Sequence, residues 1–379
     1  MRAMERFMFP MYLWAISTLF LVVMAATCHD HSLLENPAAL FIFGDSLFDS
    51  GNNNYIRTSR GFQANYRPYG ETFFPSPTGR ATDGRTIPDF ISEYAKLPLI
   101  PPYLQPGIQN YNYGVNFASI GAGALLETHQ GLVIDLKTQL SNFKKVEKQL
   151  RHNLGGEEGK ALLSAAVYLF SIGGNDYFAA FAENSGSLVS QEEYVAMVIG
   201  NITNAIQEVY NLGGRKFGFL NVSPIGCLPF VKALDPARTG GCKEELTDVA
   251  RLHNRALSEA LQKLEIQLTG FKYSLHDFFT SLNEITEDPS KYGFEEVEMA
   301  CCGNGPYRGF SGCGSQTRSY ELCENPSDFL YFDLVHPTEK AYEQFAKLFW
   351  NGSSDITGPY NLKSLFELDN KCRPNLGSS

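Results

Sequence analysis

Basic side chains are scarce in this 379-residue chain. Lysine and arginine together number 31, against 41 aspartate and glutamate residues, which gives a formal net charge of −10 and a pI near 5.3. A protein that binds nucleic acid needs a basic surface to meet the phosphates. The charge balance therefore argues against a nucleic-acid partner.

Long apolar runs are also rare, and the one present lies near the N-terminus. Residues 11–24 are almost entirely apolar, two arginines precede them, and small residues follow. This pattern predicts a secretory signal peptide over residues 1–26, with an approximate cleavage site, and a single mature domain over residues 27–379. A single-pass anchor is the alternative, but the run is short for a membrane span, so we expect no stable membrane anchor.

Eight cysteines fit an exported protein, in which disulfides persist. They are Cys28, Cys227, Cys242, Cys301, Cys302, Cys313, Cys323 and Cys372. Metal ligation is the rival interpretation for the later group, but the adjacent pair Cys301-Cys302 lacks zinc-type spacing, so we predict disulfides and no metal. Cys227 and Cys242 could close a short loop, whereas the full connectivity cannot be read from spacing.

Three glycosylation sequons accompany the cysteines. Their acceptor residues are Asn201, Asn221 and Asn351. Asn201 and Asn351 lie in polar surroundings, which favours modification. Asn221 ends a predicted buried strand, so we expect it to be a poorer acceptor.

Short apolar runs alternate with long amphipathic stretches. The runs that predict strands are residues 39–43, 165–172, 216–222 and 271–275. They are nearly all apolar, as in parallel strands that are covered on both faces. Apolar residues at helical spacing begin near Leu136, Val195 and Leu246, and Thr338 is a candidate cap for a last helix. This alternation predicts a three-layer α/β/α sandwich with a central parallel sheet, and residues 63–106 are interpreted as an insertion over its rim.

Residues able to do chemistry follow the predicted strands, where doubly wound sheets place their sites. Ser46 lies in FGDSLFDSGNNN, Gly121 in NFASIGAG and Asn175 in GGND. Asp333 and His336 stand three residues apart in DLVHP near the C-terminus. Each alone has an ordinary explanation as a turn, close-packing or surface residue.

Together these five residues supply every part of an acyl-transfer site. Ser46 would be the nucleophile, His336 its base, and Asp333 the carboxylate that orients the base. The backbone N–H groups of Ser46 and Gly121 and the side-chain amide of Asn175 would stabilise the oxyanion. The G-x-S-x-G pattern is absent, which excludes the nucleophile-elbow class but not other serine esterases.

The sequence resembles plant GDSL-type esterase/lipases of the SGNH hydrolase superfamily. The blocks FGDSLFDSGNNN, GRATDGRTIPDFI, NYGVNFASIGAGAL, GGNDYF and DLVHPTEKAY occur in the order of that family, over about residues 39–350. The resemblance implies a flavodoxin-like SGNH hydrolase fold and no metal or organic cofactor. The site residues that it implies are Ser46, Gly121, Asn175, His336 and Asp333. The stretches GLVIDLKTQLSNFKKVEKQLR and NLGGRKFGFLN resemble the secreted branch linked to defence.

Two departures from the family pattern are small. Thr82-Asp83 stands where family members often have Ser-Asn, and Ile120 where glycine or alanine is common. Neither touches a proposed catalytic atom. Ile120 could narrow the pocket for the acyl group.

The residues and the resemblance favour a secreted serine ester hydrolase of the apoplast or cell wall. It would cleave lipid or acetyl esters through an acyl-enzyme on Ser46, with a small ester or lipid as its partner molecule. The same triad could instead pass the acyl group to an alcohol, as an acyltransferase. A catalytically silent extracellular binding or defence protein is the third interpretation, and the intact set of five residues argues against it.

Overall fold

The computed structural model describes residues 38–182, 189–234, 241–314 and 319–368. The predicted signal peptide, Cys28 and Cys372 lie outside them. The strands are β1 (Leu40–Gly44), β2 (Gly114–Asn116), β3 (Val167–Ser171), β4 (Lys216–Leu220), β5 (Lys272–His276), β6 (Glu296–Ala300), β7 (Cys302–Gly303), β8 (Glu321–Leu322), β9 (Phe329–Tyr331) and β10 (Thr357–Pro359). The helices are α1 (Ile87–Tyr94), α2 (Leu136–Leu154), α3 (Gly156–Ala165), α4 (Gly174–Ala182), α5 (Gln191–Asn211), α6 (Pro229–Leu234), α7 (Glu244–Gln267), α8 (Phe278–Glu287), α9 (Glu339–Asn351) and α10 (Leu362–Glu367).

A six-stranded sheet of order β10-β5-β4-β3-β1-β2 lies at the centre of the described residues. Strands β1 to β5 pair in parallel, and β10 joins β5 antiparallel. The order β2-β1-β3-β4-β5 is the flavodoxin-like one, so the predicted fold class is confirmed. The sheet is mixed rather than purely parallel as predicted, because β10 is antiparallel to β5. The sequence analysis identified neither β10 nor β2, each of which is only three residues long.

Helices cover both faces of this sheet because its strands are apolar on both sides. On one face, Phe143 of α2 packs edge-on against Phe43 of β1, with ring centroids 5.6 Å apart. Phe43 and Phe219 of β4 belong to one row of stacked rings on this face. A side chain at the neighbouring Gly218 would lie on the opposite face. The ring of Phe349 of α9 packs there, 3.2 Å from the position that a Cβ of residue 218 would take.

The long helices begin and end near the predicted positions. The apolar stripes of α2, α5 and α7 are buried. Thr338 caps α9 as predicted, because its hydroxyl oxygen accepts a hydrogen bond from the Ala341 N–H. The insertion contains α1, which the sequence analysis did not identify, and a capping box of Thr86 and Asp89 starts that helix.

Two short sheets and two disulfides organise residues 296–331. Strand β6 pairs with β9 in parallel, and β7 pairs with β8 antiparallel. The disulfides are Cys227–Cys242, Cys301–Cys323 and Cys302–Cys313, which confirms disulfide formation for these six cysteines. No cluster of potential metal ligands occurs within the described ranges. The helices in the same ranges include none that is long and apolar enough to cross a bilayer.

The three sequons lie in different environments. Asn201 of α5 and Asn351 of α9 are exposed. Asn221 is buried, its Nδ2 donates to Asp277 Oδ1 at 2.9 Å, and its Oδ1 accepts from the Phe279 N–H at 3.0 Å. A glycan on Nδ2 would need space that this buried, hydrogen-bonded side chain does not have, which agrees with the expectation that it is the poorer acceptor.

One buried ion pair lies within the insertion and ties Arg80 to α1. Arg80 Nε and Nη2 each donate to the carboxylate of Asp89 at 2.7 Å, and both side chains are less than a tenth exposed. Burial alone would raise the pKa of Asp89, but the positive charge and hydrogen bonds of Arg80 hold it below the usual value. Asp89 therefore stabilises the folded protein at pH values above the ordinary aspartate pKa. This stabilisation is lost as the pH falls through the lowered pKa of Asp89 in the folded protein.

We expect Arg80→Met to lower the free energy of unfolding by about 3–5 kcal/mol, because it leaves a buried carboxylate without its counter-charge. Urea denaturation at neutral pH measures the change. Glu71→Gln is the control, because it removes the exposed Arg67–Glu71 pair and should cost less than about 1 kcal/mol. Equal small losses in both variants would contradict the importance of the buried pair.

Candidate active site

Three neighbouring strands bring three of the predicted residues to one edge of the sheet. Ser46 follows β1, Gly121 follows β2, and Asn175 lies in the first turn of α4, after β3. Strand β1 pairs with β2 on one side and with β3 on the other. The strand order reverses between β1 and β3, and such a point in an α/β sheet opens a crevice for ligands.

The backbone around Gly44 holds the turn that carries Ser46. The Ser119 N–H donates to the Gly44 carbonyl, and the Asp45 N–H donates to the Ser171 carbonyl, each at 3.0 Å. Gln139 of α2 binds both backbone groups of Gly44 at 2.9 Å, accepting from its N–H and donating to its C=O. Gly44 has a φ of 147°, and a Cβ there would overlap the Ser171 carbonyl oxygen, so the position requires glycine.

Two aspartates beside Ser46 serve the backbone of the turn. Asp45 Oδ1 accepts from the Leu47 N–H at 3.1 Å and so stabilises the turn. Asp49 accepts from two N–H groups of the next turn and, at 2.9 Å, from the Ile120 N–H. The last bond ties the serine turn to the segment after β2. Burial raises the pKa of Asp45 to about 7 and that of Asp49 to about 6.

The predicted oxyanion donors have free N–H groups. Within the described part of the chain, the backbone N–H groups of Ser46 and Gly121 make no hydrogen bond. Asn175 Nδ2 donates to the Ala122 carbonyl at 2.9 Å, which leaves its second N–H for a ligand. Gly121 has a φ of 82°, and a Cβ there would meet the ring of Phe62 closely, so glycine is required here as well.

Asp176 fixes the oxyanion segment onto α4. Its carboxylate accepts from the backbone N–H groups of residues 124 and 125 at 2.9 and 3.0 Å, and from the Thr128 hydroxyl at 2.6 Å. Burial raises the pKa of Asp176 to about 6. Because Asp176 directly follows Asn175, these bonds hold Asn175 beside the segment that contains Gly121. The sequence analysis missed this role, for which the only signal was its place in GGND.

Asp333 and His336 lie together in the loop between β9 and α9. His336 Nδ1 is 2.8 and 2.9 Å from the two carboxylate oxygens of Asp333, which also accepts from the His336 backbone N–H at 2.8 Å. Burial alone would lower the pKa of His336, but the charge and hydrogen bond of Asp333, with the charge of Asp45, raise it above its usual value. Burial alone would raise the pKa of Asp333, but His336 and two backbone N–H groups lower it.

The other ring nitrogen of His336 is unpaired. His336 Nε2 is buried and has no hydrogen-bond partner among the residues that the structure describes. An imidazole that is fixed at Nδ1 by a carboxylate and unpaired at Nε2 is arranged to take a proton from a hydroxyl group.

Residues of the insertion position this loop. The Tyr69 hydroxyl donates to Asp333 Oδ2 at 2.7 Å. Thr82 Oγ1 donates to the Pro337 carbonyl at 2.9 Å, and Asp83 Oδ1 accepts at 2.7 Å from the N–H of the first residue of α9. The departure Thr82-Asp83 therefore lies at an anchor of the histidine loop. No pattern in the sequence pointed to Tyr69.

Comparison with known proteins places the chain among esterases. The family model described as GDSL-like Lipase/Acylhydrolase matches residues 40–349. The chain is 55% identical to GDSL esterase/lipase 1 and 54% identical to GDSL esterase/lipase 2, both of Arabidopsis thaliana, and each alignment covers 93% of this chain and 96% of the relative. It is 51% identical to a GDSL lipase of Tanacetum cinerariifolium, over 88% of this chain and 89% of that protein.

We expect Gln139→Met to destabilise the protein by about 1–3 kcal/mol, because it leaves the buried Gly44 N–H unpaired while the Gly44 carbonyl keeps the Ser119 N–H. Chemical denaturation measures the loss. Gln149→Met is the matched control, because Gln149 is exposed on the same helix. A loss no larger than that of the control would show that Gln139 does not hold the end of β1.

Proposed function

The chain belongs to the GDSL-like lipase/acylhydrolase family of carboxylic ester hydrolases, and we propose that it cleaves esters through an acyl-enzyme formed on Ser46. The observation that carries the proposal is the state of His336, whose Nδ1 is held by Asp333 while its buried Nε2 is unpaired. Nε2 is thereby available to accept the proton of a serine hydroxyl, as a general base must be.

Acylation begins when neutral His336 accepts the proton of the Ser46 hydroxyl. Oγ then bonds to the ester carbonyl carbon, and the carbonyl oxygen becomes an oxyanion. The N–H groups of Ser46 and Gly121 and the free amide N–H of Asn175 stabilise it, and loss of one such donor typically costs about 2.7–4 kcal/mol of transition-state stabilisation. The Asp333 carboxylate stabilises the imidazolium, which then protonates the leaving alkoxide as the carbon–oxygen bond breaks.

Deacylation repeats the same proton transfers with water. His336 takes a proton from a water molecule, the resulting hydroxide oxygen bonds to the acyl carbon, and the proton returns to Ser46 Oγ as the acid leaves. An alcohol in place of water would yield a new ester by the same steps. Added alcohol therefore tests the acyltransferase alternative through the ratio of ester to acid among the products.

Secretion is part of the proposal. Three disulfides within the described residues support folding in an oxidising compartment. The signal peptide, a mature domain over residues 27–379, a location in the apoplast or cell wall, glycosylation at Asn201 and Asn351, and a role in defence stay predictions. Lipid or acetyl esters are the substrates that we propose.

We expect Ser46→Ala to abolish both turnover of p-nitrophenyl esters and labelling by a fluorophosphonate, with a loss in kcat of about 10⁶. Ser50→Ala is the matched control, since Ser50 is buried in the same turn and its hydroxyl has no hydrogen-bond partner in the described structure. The control should keep labelling and turnover. Equal labelling of Ser46→Ala and the unmodified protein would refute the assignment of the nucleophile.

The pH dependence follows from the raised pKa of His336. Because the base must be neutral, kcat/KM should fall as the pH drops through a value above the ordinary histidine pKa of 6.5. Asp333→Asn should move this midpoint to lower pH and reduce kcat by about 10⁴. Asp328→Asn, ahead of β9, is the control and should change neither. Steady activity of the unmodified protein down to pH 5 would mean that His336 is not the base.

A further inference from the structure

Two openings flank the proposed catalytic residues, and the first is narrow. We call it the strand-side pocket, because it lies where the central strands end. Its walls include Ser46, Asn175, Phe178, Leu220, Phe278 and Leu282. Four of these side chains are hydrocarbon, and polar groups of Asp45, Ser171, Asn221 and Ser223 also line the pocket.

The second opening lies under the insertion and the loop that the Cys302–Cys313 disulfide closes. We call it the loop-side cleft, and its walls include Arg60, Tyr66, Tyr69, Ile120, Gly312 and His336. The guanidinium of Arg60 stacks 3.7 Å from the ring centre of Tyr66. This cleft therefore presents aromatic rings and polar groups.

The proposed catalytic groups are divided between the two openings. Ser46 and Asn175 line the strand-side pocket, whereas Asp333 and His336 line the loop-side cleft. In an ester bound for reaction, the carbonyl carbon meets Ser46 Oγ and its oxygen meets the Asn175 amide. The leaving oxygen must reach His336 Nε2 to be protonated, so the alcohol extends into the loop-side cleft. The acyl chain, on the other side of the carbonyl carbon, is left with the strand-side pocket.

The sizes of the two openings differ by about an order of magnitude. The volume open to the centres of water-sized molecules is ≈ 50 Å³ in the strand-side pocket and ≈ 490 Å³ in the loop-side cleft. The strand-side pocket is therefore much the more confined of the two. A long acyl chain meets this confinement, whereas the loop-side cleft leaves room for a bulky group.

We infer that this hydrolase is selective for short acyl groups carried on bulky alcohols. The inference rests on the proposed function and adds which side of the ester each opening binds. The strand-side pocket limits the length of the acid, and the loop-side cleft admits the alcohol. Ile120, which the sequence analysis expected to narrow the acyl pocket, lines the loop-side cleft instead. Long-chain lipids are then poor substrates.

The first measurement is kcat/KM for p-nitrophenyl esters from acetate to palmitate, in which the alcohol is constant. We expect a fall of at least about tenfold between the four-carbon and eight-carbon esters, the scale of one misfitting methylene in an apolar pocket. Phe178→Ala should raise the eight-carbon to four-carbon ratio by about tenfold or more, because it enlarges the strand-side pocket.

Tyr66→Ala is the matched variant on the other side, since Tyr66 and Phe178 are both half-buried aromatic residues. It should leave the acyl-length ratio unchanged and lower kcat/KM for 2-naphthyl acetate relative to ethyl acetate. Phe178→Ala should leave this second ratio unchanged. Ratios within one variant cancel a general loss of activity, and fluorophosphonate labelling of Ser46 reports that the site of each variant is formed.

Two results would overturn the assignment while Ser46 is still labelled. One is an unmodified protein that prefers acyl chains of eight carbons or more. The other is a change of acyl-length preference in Tyr66→Ala and not in Phe178→Ala. Absence of both labelling and turnover in the unmodified protein would instead refute the proposed mechanism, and with it the assignment.

Discussion

The pair of hydrogen bonds between Gln139 and Gly44 is the constraint on which the site depends. It fixes Gly44, the last residue of β1, from the side of α2. Ser119, after β2, and Ser171, the last residue of β3, bind the backbone of Gly44 and Asp45. The chain must leave the sheet at Gly44 in a conformation open to glycine alone. Ser46 is thus two residues from a point that is held by three elements, and its position follows from theirs.

Buried polar side chains perform the same task around that point. Asn52 Nδ2 donates to the carbonyls of Asn116 and Ala118, and Asn53 Nδ2 donates to the carbonyl of Ile120. These bonds add to the two backbone bonds that continue from this segment to β1, in which the N–H groups of Phe117 and Ser119 donate to Ile42 and Gly44. The loop after β2 can therefore carry irregular backbone with free N–H groups, and remain ordered, because side chains satisfy its carbonyls.

The sequence predicted what depends on local pattern. Continuous apolar runs predicted β1, β3, β4 and β5, and positions after strands singled out Ser46 and Asn175, because sheet topology brings strand ends together. Contacts across the chain were not predictable. Tyr69 meets Asp333 across 264 residues, and the amide of Asn52 binds a segment more than 60 residues away. Such partners depend on tertiary packing, and no spacing rule encodes them.

The two outer strands of the sheet, β2 and β10, have a consequence for association between molecules. An exposed edge of unpaired N–H and C=O groups is a template on which another chain can add a strand and aggregate. Both edges here are only three residues long, Asn116 of β2 already pairs with the backbone of residues 101 and 103, and β10 ends in Pro359, which has no N–H to donate. The longer strands of this sheet, which would make effective templates, all lie inside it. The central sheet is thereby protected against edge-to-edge growth into fibrils.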